Sequence, residues 1–218
     1  MAPSSNGMTC IIPAMTDFNP GETPDVYLIR HGQTDWNLHG LFQGDSDIAL
    51  NDTGKTQAAA IAQCMIELVA AGRLQADEFP FFVSPLLRAR QTAEIITQRL
   101  ARPPDDIVVE PAIKELSFGH WEGLTTLEVK KRFPEERRRR NADRWNFCPH
   151  KGESYAARVP SMLRFLESLH SPTVIVTHTG IIRLCLFLLG ALDREKALVE
   201  KISQDKIYLW SKGSLAAV

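Results

Sequence analysis

Short apolar runs alternate along the chain with segments in which apolar residues recur at helical spacing. The runs are rich in β-branched or aromatic residues and are bounded by polar residues or proline, which predicts strands. Five strands are predicted, over residues 26–29, 81–84, 107–110, 173–177 and 207–210. Three of them read as interior, because they are continuously apolar and do not alternate with polar residues.

Four helices are predicted between these strands. Asn51 is a suitable N-cap for the first, and Gly72 is a suitable end. Its apolar face consists of Ile61, Met65, Leu68 and Val69. A second amphipathic helix is predicted from apolar residues at positions 155, 159, 162, 166 and 169, which share one face. The segments 86–100 and 181–189 supply two more.

Strands that alternate with helices predict an α/β fold, here a three-layer α/β/α sandwich with a largely parallel central sheet and helices on both faces. Ligands of such sheets bind beyond the carboxyl ends of the strands. We predict one domain over residues 25–218 and a disordered tail over residues 1–24. The segment from about 124 to 149 is charged and lacks a strand pattern, so we interpret it as a small helical cap over the site.

Composition limits the classes of function. The chain has 25 Lys and Arg against 26 Asp and Glu, so no overall field would draw it to nucleic acid or to an anionic membrane. Its most apolar stretch, residues 181–189, is too short to span a membrane. The N-terminal residues lack the basic region and apolar run of a signal peptide. We therefore predict a cytoplasmic protein; its oligomeric state stays open.

Cysteine usage argues against both a disulfide framework and a zinc site. The four cysteines are widely spaced and form no CxxC pair. They are Cys10, Cys64, Cys148 and Cys185. We expect reduced thiols.

Arginine and histidine follow several of the predicted strands. Arg30 and His31 end the first, with Gly32 behind them. Arg88 lies in the first turn of the helix after the second strand, and His178 follows the strand at 173–177. Three strand ends thus deliver two arginines and two histidines to one edge of the sheet, a composition typical of a phosphate site.

At this point the sequence resembles the histidine phosphatase superfamily, in the branch that contains the cofactor-dependent phosphoglycerate mutases and related phosphatases. The resemblance runs from about residue 25 to residue 210. It is carried by the motif at 28–34 with Trp36 and Asn37 after it, and by four further blocks in order. These blocks are residues 84–93, 115–123, 152–154 and 176–178.

The resemblance implies a role for each of five residues. His31 is the expected nucleophile, which attacks phosphorus through a neutral ring nitrogen to give a phosphohistidine. Arg30, Arg88 and His178 are expected to hold the phosphoryl oxygens. Glu115 is expected to protonate the leaving oxygen and then to activate water. No metal ion or other cofactor is expected.

Further candidates lie near these positions. Asn37, Gln43 and Thr179 are predicted neighbours of the bound phosphate. Thr179 stands where the family often has glycine, and Leu41 where it often has a basic residue. Arg183 is predicted to form a structural ion pair. The run 137–140 is predicted to be a solvated helix face, although some of its arginines, with Lys151, are candidates to meet a second anionic group on the substrate.

The leading hypothesis is a metal-independent phosphatase that hydrolyses a small phosphorylated metabolite. The alternative is a phosphotransferase of the phosphoglycerate mutase type. Glu115 and His178 are only 63 positions apart, which is compact and favours the phosphatase. A catalytically silent module that binds phosphorylated ligands, and a metal-dependent hydrolase, are less favoured alternatives, since the expected catalytic residues are present and no HxH or HExxH motif occurs.

Overall fold

A mixed β-sheet organises the molecule. The computed structural model describes residues 18–74 and 79–217. In this part of the chain six strands form one sheet: β1 (Val26–Arg30), β2 (Phe81–Val83), β3 (Ile107–Val109), β4 (Thr173–Thr177), β5 (Ile207–Ser211) and β6 (Ser214–Ala217). Their spatial order is β3-β2-β4-β1-β5-β6.

Four neighbouring strands of the sheet, β3, β2, β4 and β1, are parallel, whereas β5 and β6 are antiparallel to their neighbours. In the register of β1 with β4, Arg30 lies opposite Thr177, so both strands end at the same edge. The prediction of a largely parallel sheet is therefore confirmed. The residues that follow β1 and β4 are brought together at that edge.

The sequence analysis missed strand β6. It spans only four residues, Ser214–Ala217, which are mostly exposed, and two of them are alanines, which are depleted in strands. A tight turn at Lys212 and Gly213, both with positive φ, directs it back along β5. The strand pairs with β5 through its backbone, and Leu215 packs its half-buried side chain against the core.

Eight α-helices lie in the described part of the chain. They are α1 (Asp35–Leu38), α2 (Asp52–Ala70), α3 (Leu87–Arg99), α4 (Thr126–Arg132), α5 (Pro134–Ala142), α6 (Tyr155–Glu167), α7 (Thr179–Leu188) and α8 (Arg194–Val199). All four predicted helices are present, as α2, α3, α6 and α7. The side chain of Asn51 caps α2 by accepting a hydrogen bond from Gly54 N.

Helix α7 begins two residues earlier than the apolar pattern predicted. His178 has extended backbone angles and forms its N-cap, so the helix begins directly after β4. Its first turn contains Thr179 and Gly180, which carry no apolar signal. The N-terminal end of α7 is consequently placed at the edge of the sheet where β1 and β4 end.

Two apolar clusters lie on opposite sides of the sheet, as a three-layer sandwich requires. Val26 and Leu28 of β1 belong to one cluster, and Tyr27 and Ile29 belong to the other, because successive side chains of a strand point to opposite faces. Buried residues of α6 and α7 cover the first face, and those of α2 and α3 cover the second.

The segment at 124–149 contains helices α4 and α5. Thr125 and Glu128 form a reciprocal capping box at the start of α4, and Pro134 occupies the first turn of α5. Phe42 N donates to Leu124 O, which joins the beginning of this segment to the loop after α1. The cap is thus attached to a loop that leaves the edge carrying Arg30.

The predicted disordered tail covers residues 1–24, of which 1–17, with Cys10, lie outside the described residues. Residues 18–24 are described: Phe18 packs against the core, and Pro20–Glu22 forms a 3-10 turn. The tail prediction therefore extends too far at its end, since a single aromatic residue in a polar context carries no periodicity. Cys64, Cys148 and Cys185 are free thiols. No helix in the described ranges is both long enough and apolar enough to cross a membrane.

The central position of β4 leads to a prediction for stability. Ile175 is fully buried, so Ile175→Ala should lower the free energy of unfolding by about 2–5 kcal/mol. Val108→Ala, on the edge strand β3 where Val108 is 45% exposed, should lower it by less than about 1 kcal/mol. Urea denaturation measures both. Equal losses would contradict the placement of β4 at the centre.

Candidate active site

A cavity of about 160 Å³ lies at the edge where β1 and β4 end. Seven of the eight predicted site residues line it: Arg30, His31, Asn37, Gln43, Arg88, Glu115 and Thr179. Positions that are far apart in the sequence therefore surround one space. His178, the eighth, is fully buried beside it.

His31 follows β1 directly, and its backbone N–H donates to Thr177 O of β4 at 2.9 Å. The ring atom Nδ1 lies 2.7 Å from Gly32 O. A carbonyl oxygen only accepts, so Nδ1 carries the proton and Nε2 has the lone pair. Burial and the charges of Arg88 and Arg30 hold the pKa of His31 well below its usual range. The ring is therefore neutral, with an unprotonated Nε2.

Gly32 permits a close approach of two backbone segments. A Cβ atom at Gly32 would overlap the backbone of Gly54, at the start of α2. Gly32 N also donates to Thr92 Oγ1 of α3 at 3.1 Å. The absence of a side chain at Gly32 therefore allows the loop after β1 to pack against α2.

Arg88 is 1% exposed, and all three of its side-chain nitrogens donate to neighbours in the protein. Nη1 donates to Ser46 O at 2.7 Å, and Nη2 donates to Gly44 O at 2.8 Å. Nε donates to His178 Nδ1 at 3.3 Å. Each terminal nitrogen retains a second N–H that these bonds do not use. The guanidinium is thus fixed in orientation and still has donors for an anion.

The loop between α8 and β5 holds the side chain of Arg30 by one hydrogen bond. Its Nη1 donates to Ile202 O at 2.8 Å, whereas its buried Nε has no hydrogen-bond partner among the described residues. Burial lowers the pKa of Arg30 to about 10. Neither Arg30 nor Arg88 forms an ion pair with a carboxylate in the described ranges. The unused N–H donors of both guanidiniums favour an anion between them.

Glu115 is buried, and its carboxyl group accepts two backbone hydrogen bonds. Leu116 N donates to Oε1 at 3.1 Å, and Gly180 N donates to Oε2 at 3.2 Å. Burial raises its pKa, although these bonds and the charge of Arg88 act in the opposite direction. A Cβ atom at Gly180 would overlap Oε1, so the first turn of α7 closely shapes the position of this carboxyl group.

Two other acids near Glu115 in the sequence are engaged elsewhere. Glu122 Oε1 accepts from Asp45 N, Ser117 Oγ and Phe118 N, each at 3.0 Å, and Oε2 accepts from Ser46 Oγ at 2.6 Å. Glu153 pairs with Arg158. Neither lines the cavity. Glu115 is the one acid of the three that faces it.

The structure places His178 differently from the prediction. Its Nδ1 accepts from Arg88 Nε, so the proton is on Nε2, which donates to Ser84 Oγ at 2.7 Å. Both ring nitrogens are therefore engaged with protein atoms and do not face the cavity. The ring centroid lies 5.0 Å from that of His31. The sequence identifies a histidine at this edge but cannot indicate which way its ring points.

Arginines of the cap also border the cavity. Arg140 and Arg144 line it together with Tyr155 and Arg183. The predicted solvated face at 137–140 is thus correct only in part, because Arg140 faces the site while Arg138 and Arg139 are exposed. Burial lowers the pKa of Arg140 to about 10. Lys151 does not line the cavity.

The prediction of an ion pair for Arg183 is wrong. Its Nε and Nη2 both donate to the backbone carbonyl of Glu200, at 2.9 and 2.6 Å. The sequence analysis also did not select Arg144 or Tyr155 as site residues. Both come after the basic run, in a turn and a helix that approach the site only through tertiary packing.

Comparison with known proteins assigns the family. The model of the histidine phosphatase superfamily (branch 1) matches residues 26–208. The chain belongs to this superfamily. The matched region spans β1 to β4 and the first two residues of β5, and it includes every predicted site residue.

Relatives of this chain include proteins named as mutases and proteins named as phosphatases. It is 30% identical over 188 residues to a 2,3-bisphosphoglycerate-dependent phosphoglycerate mutase of Bartonella henselae, covering 82% of this chain and 87% of that protein. It is 33% identical over 175 residues to a glucosyl-3-phosphoglycerate phosphatase of Mycolicibacterium vanbaalenii, covering 72% and 70%. Among solved structures, mycobacterial hydrolase 1 has a TM-score of 0.70 at 26% identity, covering 86% of this chain and 91% of that chain.

The two buried arginines of the candidate site lead to a binding prediction. Arg88→Met removes charged donors to an anion, so it should weaken binding of inorganic phosphate by about 10- to 100-fold. Arg99→Met, at the exposed end of the same helix, should change the dissociation constant by less than about twofold. Isothermal titration calorimetry measures both. Equal affinity of the Arg88 variant and the wild type would place the anion elsewhere.

Proposed function

We propose that this protein is a metal-independent phosphatase that hydrolyses a small phosphorylated metabolite in the cytoplasm through a phosphohistidine on His31. The observation that carries the proposal is the neutral ring of His31, with Nδ1 bound to Gly32 O and Nε2 unprotonated, beside two buried guanidiniums. An imidazole in this state is a ready nucleophile for an anionic phosphoryl group.

In the first step, Nε2 of His31 attacks phosphorus in line with the ester oxygen. The N–P bond forms as the P–O bond to the leaving group breaks. Free N–H groups of Arg30 and Arg88 donate to the phosphoryl oxygens and stabilise the charge that spreads over them. Glu115, whose pKa burial raises, gives its proton to the leaving alkoxide.

In the second step, the ionised Glu115 takes a proton from water. The water oxygen attacks phosphorus, the N–P bond breaks, and inorganic phosphate leaves with His31 neutral again. The backbone N–H groups of Leu116 and Gly180 stabilise the carboxylate between the two steps. His178 contributes by orienting Arg88 and by packing against the ring of His31.

Two fixed guanidiniums provide the charge stabilisation that a metal ion gives in other phosphatases. They remain charged at any working pH, even where burial lowers the pKa of Arg30 to about 10. The proposal therefore includes activity without a metal ion.

A phosphoglycerate mutase-type phosphotransferase is the second candidate. Arg140, Arg144 and Arg183 have no carboxylate partner among the described residues and favour a substrate with a second anionic group. The mutase of Bartonella henselae aligns over 87% of its own length, so compact spacing alone does not separate the two activities. With 3-phosphoglycerate and bisphosphoglycerate as substrates, faster formation of 2-phosphoglycerate than of free phosphate would make the hydrolase assignment wrong.

The proposal predicts metal-free turnover that depends on His31. Wild-type protein should release phosphate from p-nitrophenyl phosphate in excess chelator, and His31→Ala should abolish the release. His39→Ala, an exposed histidine nearby in the sequence, is the matched control and should retain activity. Activity that disappears with the chelator would refute metal independence, and activity that survives in His31→Ala would refute the nucleophile.

The pH dependence follows from the two pKa shifts. His31 must be neutral, and its lowered pKa keeps it neutral down to acidic pH, so the acidic limb of kcat/KM should lie well below the usual pKa of histidine. Glu115 must be protonated for the first step, so kcat/KM should fall as pH rises through its raised pKa, about tenfold per pH unit.

Glu115→Gln tests the assignment of the alkaline limb. The amide cannot transfer a proton, so kcat should fall by about 100- to 10,000-fold. The alkaline limb should disappear, which a pH profile of kcat/KM would measure. An unchanged alkaline limb in this variant would assign the acid role to another group.

A further inference from the structure

The loop between α8 and β5 contacts the site from a distant part of the chain. Gln204 Nε2 donates to the backbone carbonyl of His31 at 3.1 Å and to Asn37 Oδ1 at 3.2 Å. One amide nitrogen thus bonds both to the candidate nucleophile's own backbone and to a cavity-lining side chain. The motif analysis did not select Gln204.

These contacts fix the orientation of both amides. The His31 carbonyl can only accept, so the nitrogen of Gln204, and not its oxygen, faces His31. Thr34 N can only donate, and it donates to Asn37 Oδ1 at 3.2 Å. Thr34 N and Gln204 Nε2 therefore both donate to Asn37 Oδ1, as does Thr34 Oγ1 at 3.3 Å. These bonds fix which side of the Asn37 amide carries its oxygen.

The remaining face of Asn37 presents Nδ2. This nitrogen has no protein partner in the described part of the chain, and Asn37 lines the cavity with His31, Arg30 and Arg88. An N–H donor suits a phosphoryl oxygen, whereas a carbonyl oxygen at the same place would repel it.

We propose that Gln204 is a positioning residue, which orients Asn37 so that Nδ2 donates to the phosphoryl group and which anchors the backbone of His31. The inference deepens the proposed function and rests on it for the identity of the anion. Gln204 does not touch the substrate; it acts through Asn37.

Hydrogen bonds within the chain hold the loop that carries Gln204. Gln204 can orient Asn37 only if this loop is itself fixed. Ser203 N donates to Tyr208 Oη at 2.7 Å, and Tyr208 Oη donates to Lys201 O at 3.2 Å. Ile202 O accepts from Arg30 Nη1. Ile202 and Gln204, two positions apart in one loop, therefore position Arg30 and Asn37 respectively.

Two substitutions of Gln204 distinguish a role in orienting the Asn37 amide from the simple loss of a hydrogen bond to it. Gln204→Glu replaces the donor with an acceptor, so Asn37 is expected to rotate its amide and present Oδ1 to the anion. Binding of inorganic phosphate should weaken by about 10- to 100-fold. Gln204→Met removes the bonds but leaves Thr34 N in place, so the loss should be only about two- to tenfold. Gln57→Glu, which keeps its accepted bond from Gln33 N, is the charge-matched control.

A double-mutant cycle with Asn37→Ala provides the decisive readout. Calorimetric dissociation constants for inorganic phosphate are measured for the wild type and for Gln204→Glu, Gln204→Met and Gln57→Glu, each with and without Asn37→Ala. The effect of Gln204→Glu should shrink to within about threefold in the Asn37→Ala background. A residual effect from charge alone should be matched by Gln57→Glu and should fall at high salt.

Equal effects of Gln204→Glu with and without Asn37 would overturn the inference. If Gln204→Glu fails to fold, the same cycle with Gln204→Met decides, since a purely structural role predicts no coupling to Asn37. If phosphate binding shows coupling between Gln204 and Asn37 but the protein has no phosphatase turnover, the inference is retained and the hydrolase assignment is refuted. If the protein turns over but shows no coupling between Gln204 and Asn37, the hydrolase assignment is retained and the inference is refuted. If the wild type does not bind inorganic phosphate, both are refuted.

Discussion

The candidate site depends on holding positive charge on two arginine side chains that are largely withdrawn from solvent. Arg88 is almost completely buried, Arg30 has a buried Nε, and neither has a carboxylate partner among the described residues. Burying a charge without a counterion is costly, and backbone carbonyls of Gly44, Ser46 and Ile202 offset only part of that cost. In the proposed mechanism, a bound phosphoryl group supplies negative charge at this place. Burial and the same two positive charges lower the pKa of His31 and keep it neutral.

The fold assembles this charge from separate segments. The parallel pairing of β1 with β4 brings Arg30 and His31 to the same edge as the start of α7, and Gly180 there holds Glu115. The anchors of Arg88 lie in the loop at 44–46, which Glu122 fixes through Asp45 N and Ser46 Oγ. The candidate nucleophile, the two arginines and the candidate acid therefore depend on a few long-range contacts for their orientation.

Elements with a local pattern were predictable from the sequence. The apolar runs located five strands, Asn51 and Gly72 bounded α2, and the blocks around His31, Arg88 and Glu115 identified the candidate site. Strand β6 was not predicted, because its residues are mostly exposed and only Leu215 packs against the core. The strand follows from the turn at Lys212 and Gly213 and from backbone pairing with β5, which no local apolar pattern records.

Side-chain direction is the other feature that local patterns do not carry. His178 was located correctly, but its ring bonds to Arg88 and Ser84, and Arg183 bonds to a carbonyl instead of a carboxylate. Gln204 reaches His31 across 173 positions, so no spacing rule could have found it. These contacts arise only after packing, when distant loops meet at one edge of the sheet.

The central claim is that His31 becomes phosphorylated, and trapping the intermediate tests it most directly. After rapid mixing with a ³²P-labelled phosphomonoester and denaturation in base, the protein should carry label that is stable to base and lost in acid, as a phosphoramidate is. Peptide mapping should locate this label on His31. Label on any other residue, or turnover at normal rates with no labelled protein at any time, would contradict the account.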